Sequence, residues 1–169
     1  VNLFLSDISG RNESCSGIVT IVDTTGPFAL CRDTSFILGP TGWVTLTAND
    51  LDLGTVDNCT LDSIFVDRDS FVCNDAGVQV VTLTALDIFG NSSQCTSNVT
   101  IVDSVFPVTL CKDTTLYLDT AGTASIQAVD LDDGSTDNCF IDTLFLDIYN
   151  FSCVDTGSNA ITLSVQDQF

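Results

Sequence analysis

The stretch DLDLGTVDNC, residues Asp50–Cys59, returns eighty residues later as DLDDGSTDNC, residues Asp130–Cys139. Sliding the whole sequence by the same 80 positions makes 37 of the 89 comparable residues identical without a gap. Of the 22 Asp residues, 19 fall on another Asp under this shift. Because 80 residues is a common domain size, the pattern predicts tandem repeats rather than one large domain.

Short alternating stretches within each period indicate β-strands. They are rich in Val, Ile, Thr and Phe, and turns containing Gly, Asp and Asn separate them. In the first full period we predict strands near residues 28–31, 34–38, 43–48, 61–66, 78–86 and 94–102. Six or seven short strands per 80 residues predict an all-β fold of tandem immunoglobulin-like β-sandwich repeats.

Two prolines set the predicted domain boundaries. Pro27 and Pro107 each follow a VTIVD strand and open a new first strand. We therefore expect residues 1–23 to be the C-terminal strands of a preceding repeat, 24–103 a complete repeat, and 104–169 a repeat without its last strand. The first and last nine residues correspond to one strand in two different copies. This overlap favours a window cut from a longer array.

The composition disfavours several classes of protein. A formal charge of −19, with four basic residues, would repel nucleic acid and anionic membranes. No apolar run approaches the roughly 20 residues of a membrane helix, so we expect no membrane insertion. The chain has no His, which removes the commonest general base, and an enzyme is the weakest hypothesis.

The eight cysteines point to disulfides rather than to a thiolate metal site. No C-x-x-C pair occurs, and no His is present to complete such a site. Disulfides persist in oxidising compartments, so we expect an extracellular or cell-surface location.

Six motifs recur in each period and together resemble a known group. The chain is similar to the hyalin-repeat-like, immunoglobulin-fold modules in very large secreted or surface proteins of gliding and biofilm-forming Bacteroidota. The resemblance implies stalk and adhesin segments, and Arg11 departs from it by standing where the next copy has Asn91. The motifs are D-x-x-G-N at Asp87–Asn91, Cys95, VTIVD at Val99–Asp103, P-x-x-x-C at Pro107–Cys111, F-x-C at Phe71–Cys73, and the acidic loop quoted above.

Acidic residues are expected to converge at one end of each repeat. In a sandwich of this kind the quoted loop, the D-x-x-G turn and the entering linker lie together. A hard cation with six to eight oxygen ligands would neutralise them, and Ca²⁺ tolerates an irregular site better than Mg²⁺. Turn capping by the same side chains is the alternative, and it remains open. The candidate ligands are Asp23, Asp50, Asp52, Asp57 and Asp87 in one copy, and Asp103, Asp130, Asp132, Asp137 and Asp167 in the next.

Cysteine positions predict three disulfides. Cys31 and Cys95 begin strands that run parallel at the same end, so we expect them to pair. By elimination, Cys59 is predicted to pair with Cys73, and Cys139 with Cys153. We expect the disulfide partners of Cys15 and Cys111 to lie in repeats outside this stretch of sequence.

The leading functional hypothesis is a structural, non-catalytic protein. In it, the repeats form a calcium-stiffened, disulfide-stapled surface rod or fibre, whose partners are neighbouring repeats or copies of the same chain. The alternative is an adhesin or carbohydrate-binding module on a repeat stalk, with glycans or surface ligands as partners. Trp43 is the aromatic residue specific to one copy that could serve such binding.

Overall fold

The computed structural model describes residues 1–168, and this part of the chain is mostly β-structure. Twelve strands, two α-helices of four residues and two 3-10 helices of three residues make up its regular elements. No helix among these residues has the length and apolar character that a bilayer span needs. The coarse prediction of an all-β fold is therefore confirmed.

Residues 24–103 and 104–168 are called here the first and second copies of the sequence pattern. Before them, β1 (Asn2–Ser6) and β2 (Asn12–Ser16) form an exposed antiparallel hairpin. The first copy contains β3 (Thr34–Ile37), β4 (Trp43–Thr45), α1 (Ala48–Leu51), β5 (Leu61–Val66), β6 (Ser70–Val72), β7 (Gly77–Asp87) and β8 (Ser92–Val102). The second contains β9 (Thr123–Ser125), α2 (Ala128–Leu131), β10 (Ile141–Leu146), β11 (Asn150–Ser152) and β12 (Leu163–Asp167).

The strands of the first copy form two sheets. One has the order β3-β8-β7-β5, in which β3 runs parallel to β8 and the other neighbours are antiparallel. The other pairs β4 with β6. In the second copy β10 pairs with β12, and β9 with β11. The counterpart of β8 in the second copy would fall beyond Phe169, and residues 114–118 form no strand.

The core of the first copy contains side chains from both of its sheets. Along β7 the alternate residues Val81, Leu83 and Ala85 are buried, as expected for a strand with one face on the core. Phe71 of β6 packs in the same cluster as Val81 and Leu83, and it is 1% exposed. The sheets therefore share one apolar layer. A smaller cluster in the second copy consists of Ile126, Ala128, Leu131, Leu146 and Leu163.

Several predicted strands differ from the observed elements. The predicted strand at 43–48 is a three-residue strand followed by α1, whose N-terminal residue is Ala48. The predicted strand at 28–31 is reduced to isolated bridges from Phe28 and Cys31. Strand β6 is not among the six predicted strand ranges, because three residues are too few to show a clear alternation.

Candidate metal centre

Asp57 forms one side of an acidic cluster at the start of β5. One of its oxygens, Oδ2, accepts hydrogen bonds from the backbone amides of Cys59 (2.8 Å) and Thr60 (2.9 Å). This turn fixes the carboxylate in the D-N-C part of the quoted loop. The other oxygen, Oδ1, is buried and has no hydrogen-bond partner. Oδ2 is therefore held in place by the turn, and Oδ1 is available to a ligand.

Asp87 supplies the second carboxylate from the end of β7. It is 3% exposed, and its Oδ1 accepts bonds from the amides of Phe89 (2.9 Å) and Asn91 (2.8 Å). The Asn91 side chain also donates to Oδ2 at 2.7 Å. Burial raises the pKa of the Asp87 carboxyl, but the bonds from Asn91 and Phe89 outweigh it and leave the pKa below its ordinary value. The group is therefore an anion at neutral pH.

Asp23 brings the entering linker into the cluster. The amide of Thr25 donates to its Oδ1 at 3.0 Å, and the Asn58 side chain donates to its Oδ2 at 3.2 Å. Asn91 donates to the main-chain oxygen of Asp23 at 3.2 Å. The Thr25 amide is the largest of the causes that lower the pKa of the Asp23 carboxyl. The linker is thus tied to both acidic loops of the copy that follows it.

The second copy repeats the linker and loop parts of this arrangement. Asp137 Oδ2 accepts a bond from the Cys139 amide at 2.7 Å, and the Asn138 side chain donates to Asp103 Oδ1 at 3.2 Å. Asp137 Oδ1, Asp103 Oδ2 and Asn138 Oδ1 are buried without hydrogen-bond partners. Three unsatisfied oxygens from a linker and a loop therefore occur at one junction.

The carboxylates of each cluster are close enough to share one ion. Asp23, Asp57 and Asp87 each offer an oxygen within 4.8 Å of the others, and Asp103, Asp137 and Cys139 group in the same way. Cys139 is in a disulfide, so its sulfur is not available as a thiolate. The single ion pair among residues 1–168 joins Arg68 to Asp75, so no Lys or Arg forms a salt bridge with either cluster. The negative charge also raises the pKa of the Cys59 thiol, first through its hydrogen bond to Asp23.

Four predicted ligands do not join the clusters and cap local turns instead. Asp50 Oδ2 accepts bonds from the amide (2.7 Å) and hydroxyl (2.8 Å) of Thr47 at the start of α1, and Asp130 accepts a bond from the Gln127 amide. Asp52 accepts a bond from the Thr55 amide at 2.9 Å. The turn-capping alternative therefore describes this part of the loop. The predicted ligands that lie outside both clusters are Asp50, Asp52, Asp130 and Asp132, the last of which accepts a bond from the Ser135 amide.

Asp167 takes the position of Asp87 in the second copy. It ends β12 opposite Ile141, as Asp87 ends β7 opposite Leu61. The cluster of the second copy, within the described residues, contains Asp103 and Asp137 but not Asp167.

The structure contains two disulfides. Cys31 pairs with Cys95, as predicted, with their Cα atoms 5.8 Å apart. The second bridge joins Cys73 of the first copy to Cys139 of the second, with their Cα atoms 5.4 Å apart. The predicted pairs Cys59–Cys73 and Cys139–Cys153 are therefore wrong. The free cysteines are Cys15, Cys59, Cys111 and Cys153, all of them exposed.

Strand β7 explains why the predicted short-range pairs do not form. Leu61 lies opposite Asp87, so Cys59 lies near the end of β7, whereas Cys73 precedes its start at Gly77. A strand of eleven residues spans roughly 33 Å. A disulfide needs Cα atoms about 4 to 7 Å apart, so Cys59 and Cys73 cannot meet. The far end of the first copy instead meets the acidic end of the second.

Sequence reasoning missed the side-chain roles of three asparagines, Asn58, Asn91 and Asn138. They bind the linker aspartates and their turns, and so connect the carboxylates to one another. The signals available were the D-N-C triplet, which is identical in both acidic loops, and the D-x-x-G-N motif that ends at Asn91. No family model, curated protein or solved structure matches the chain.

Proposed function

We propose that this chain is a structural, extracellular tandem-repeat protein whose immunoglobulin-like sandwich repeats form a surface rod or fibre. Calcium at the acidic clusters stiffens the junctions, and disulfides staple them. The observation that carries the proposal is the set of unsatisfied, buried oxygens at these clusters: Asp57 Oδ1, Asp103 Oδ2, Asp137 Oδ1 and Asn138 Oδ1.

Unsatisfied buried carboxylate oxygens favour a bound cation. A buried polar atom without a partner costs roughly 1 to 3 kcal/mol, and more when it is charged. Asp23 and Asp87 stay ionised at neutral pH, because hydrogen bonds hold their pKa values below the ordinary value of 3.8. Three anions within 4.8 Å repel one another in a partly buried site. A cation removes the repulsion and satisfies the oxygens together.

The donor set suits calcium better than other metals. It consists of carboxylate and amide oxygens, which are ligands for hard cations, and no His is present. Asp23 comes from a linker, Asp57 from a loop and Asp87 from the end of β7, so the oxygens are not arranged by one rigid element. Ca²⁺ accepts such irregular geometry, whereas Mg²⁺ demands a near-ideal octahedron.

The position of the cluster explains how an ion would stiffen the chain. Asp103 follows β8 directly, so it belongs to the linker between the two copies. Asn138 of the second copy donates both to Asp103 (3.2 Å) and to the main-chain oxygen of Gly39 (3.2 Å) in the first copy. An ion held by Asp103 and Asp137 would join the linker to the loop and restrict a hinge between the copies.

The repeat fold and the location rest on further observations. The first copy has two sheets that share one core, and this supports the proposed immunoglobulin-like sandwich. The two disulfides favour an oxidising, extracellular environment. The equivalent short elements recur eighty residues apart, as in α1 and α2 or β5 and β10.

The stiffening is tested by residual dipolar couplings, which report how the two copies are oriented. With calcium, one alignment tensor should fit the couplings of both copies. With a chelator, each copy should require its own tensor, because the unneutralised junction loosens.

Two variants of the same loop separate calcium binding from general loss of charge. In Asp137→Asn, one alignment tensor should no longer fit the couplings of both copies when calcium is present. Asp130→Asn removes the same charge from a turn cap and should respond like the native chain. The proposal is contradicted if the native couplings are the same with calcium and with chelator, or if Asp137→Asn responds like the native chain.

A further inference from the structure

The junction between the two copies is formed by two complementary faces. Gly39, Gly42 and Cys73 of the first copy make up the tail face, and Asn138 and Cys139 of the second make up the head face. Cys73 bonds to Cys139, and the Asn138 side chain donates to the main-chain oxygen of Gly39 at 3.2 Å. A Cβ atom at Gly42 would lie 2.5 Å from the Asn138 oxygen. The close approach therefore requires glycine, and the contact is specific.

The chain carries a second head face and a second tail face. Asn58 and Cys59 repeat the head face eighty residues earlier, and Gly122 and Cys153 repeat the tail face eighty residues later. Cys59 and Cys153 are free and exposed. They are the counterparts of the two cysteines that form the internal bridge.

The second tail face already has the local geometry of the first. Cys153 Sγ lies 3.7 Å from the Gly122 oxygen, and Cys73 Sγ lies 3.4 Å from the Gly42 oxygen. A Cβ at Gly122 would lie 2.7 Å from Cys153 Sγ, compared with 2.8 Å between a Cβ at Gly42 and Cys73 Sγ. Both glycines also have positive φ angles, 78° and 72°. The free tail face is therefore prepared for the same contact.

We propose that copies of this chain dock head face to tail face and become linked by a disulfide between Cys59 of one copy and Cys153 of the next. Because the two faces differ, the contact is heterologous: one copy supplies its head face and the other its tail face. Such a heterologous contact propagates into a linear polymer unless its rotation closes a ring. The polymer would continue the junction seen between Cys73 and Cys139.

The bond can form by thiol–disulfide exchange with oxidised glutathione. The Cys59 thiolate attacks glutathione disulfide, which forms a mixed disulfide and releases one glutathione thiolate. The Cys153 thiolate of the next copy then attacks the Cys59 sulfur, forms the interchain bond and releases the second glutathione thiolate. Each released thiolate takes up one of the protons given by the two cysteines. Two protein thiols are oxidised and one glutathione disulfide is reduced.

One position of the free tail face differs from the internal junction. Asp119 stands in place of Gly39, but the group that Asn138 contacts is a main-chain oxygen, which every residue carries. The Asp119 carboxylate accepts bonds from the amides of Ala121 (2.9 Å) and Thr123 (2.9 Å). It is therefore held within its own turn, and the main-chain acceptor is retained.

The inference does not depend on calcium, so its test is run with a chelator present. All samples carry Cys15→Ser and Cys111→Ser, which leaves Cys59 and Cys153 as the free thiols. One sample also carries Cys59→Ser and another Cys153→Ser. Each is incubated in a glutathione redox buffer, alone and as an equal mixture. Non-reducing electrophoresis measures the products, and mass spectrometry of the peptides identifies the linked cysteines.

The expected result is a dimer in the mixture and none in either variant alone. The dimer should contain a peptide that joins Cys59 to Cys153, and the parent with both thiols should form a ladder of longer species. Three results overturn the proposal: no dimer in the mixture, dimers in a single variant through like cysteines, or a Cys59 link to a cysteine other than Cys153. The Cys31–Cys95 and Cys73–Cys139 peptides are recovered as a check that the chain is folded.

Discussion

At the scale of single residues, the acidic loop contains two kinds of aspartate that look alike in the sequence. Asp50 satisfies its carboxylate at the start of α1, whereas Asp57 keeps one buried oxygen without a partner. Spacing alone could not separate them, because the choice depends on which backbone amides the fold brings near each carboxylate. The repetition of Asp at fixed positions did predict that acidic side chains gather at one end of a repeat.

Gly42 makes a testable contribution to the junction. In Gly42→Ala the new Cβ would lie 2.5 Å from the Asn138 oxygen and 2.8 Å from Cys73 Sγ. The positive φ of 72° should cost about 1 to 2 kcal/mol, and the overpacking about 1 to 3 kcal/mol more. The measurement is chemical denaturation, together with the yield of the Cys73–Cys139 bridge.

Gly54→Ala is the matched control for backbone strain. Gly54 also has a positive φ, 103°, but an added Cβ would have no atom within 4 Å. We expect this variant to lose about 1 to 2 kcal/mol of stability and to keep the full yield of the bridge. Equal bridge yields in the two variants would contradict the role assigned to Gly42.

At the scale of elements, long alternating stretches were predictable and short ones were not. The ends of strands β5, β7 and β8 lie within two residues of their predicted bounds. Each strand contains several repeats of the alternating apolar and polar pattern. Helix α1 was missed, since four residues cannot show a helical period. It forms because Thr47 and Asp50 cap its first turn, a local hydrogen-bond effect that hydrophobic spacing does not report.

The capping of α1 predicts a pH-dependent contribution to stability. Bonds from the Thr47 amide and hydroxyl lower the pKa of Asp50 below 3.8, so the contribution is fully present above the unfolded pKa. It is lost as the pH falls through the folded pKa. Asp50→Asn should therefore destabilise the chain by about 1 kcal/mol at neutral pH, and the difference from the native chain should shrink below about pH 4.

Denaturation in a chelator at several pH values measures this difference. Asp62→Asn serves as the control, because it removes the same charge from the exposed surface of β5, where the carboxylate accepts a bond from the neighbouring Ser63 hydroxyl. Its effect at neutral pH should stay within about 0.5 kcal/mol. A loss in Asp50→Asn that stays constant from pH 7 to pH 2 would argue against the capping role.

At the scale of the whole molecule, the order of the cysteines could not reveal which copy each one contacts. The Cys31–Cys95 pair followed from strand direction within one copy, and it was correct. The Cys73–Cys139 pair depends on how two copies dock, and the residue pattern within one copy does not indicate that docking. Asp103 and Asp137 lie in the same group as the bridged Cys139, so the disulfide and the acidic cluster belong to one junction.

Calorimetric titration of Ca²⁺ into the chelator-treated native chain tests the central claim most directly. The account predicts saturable binding, with an affinity in the roughly 10⁻⁴ to 10⁻³ M range typical of extracellular calcium modules. The double variant Asp57→Asn with Asp137→Asn should lose it, whereas Asp50→Asn with Asp130→Asn should retain it, although both remove two charges. Absence of saturable binding in the native chain, or equal binding by the two double variants, would contradict the claim that these clusters are calcium sites.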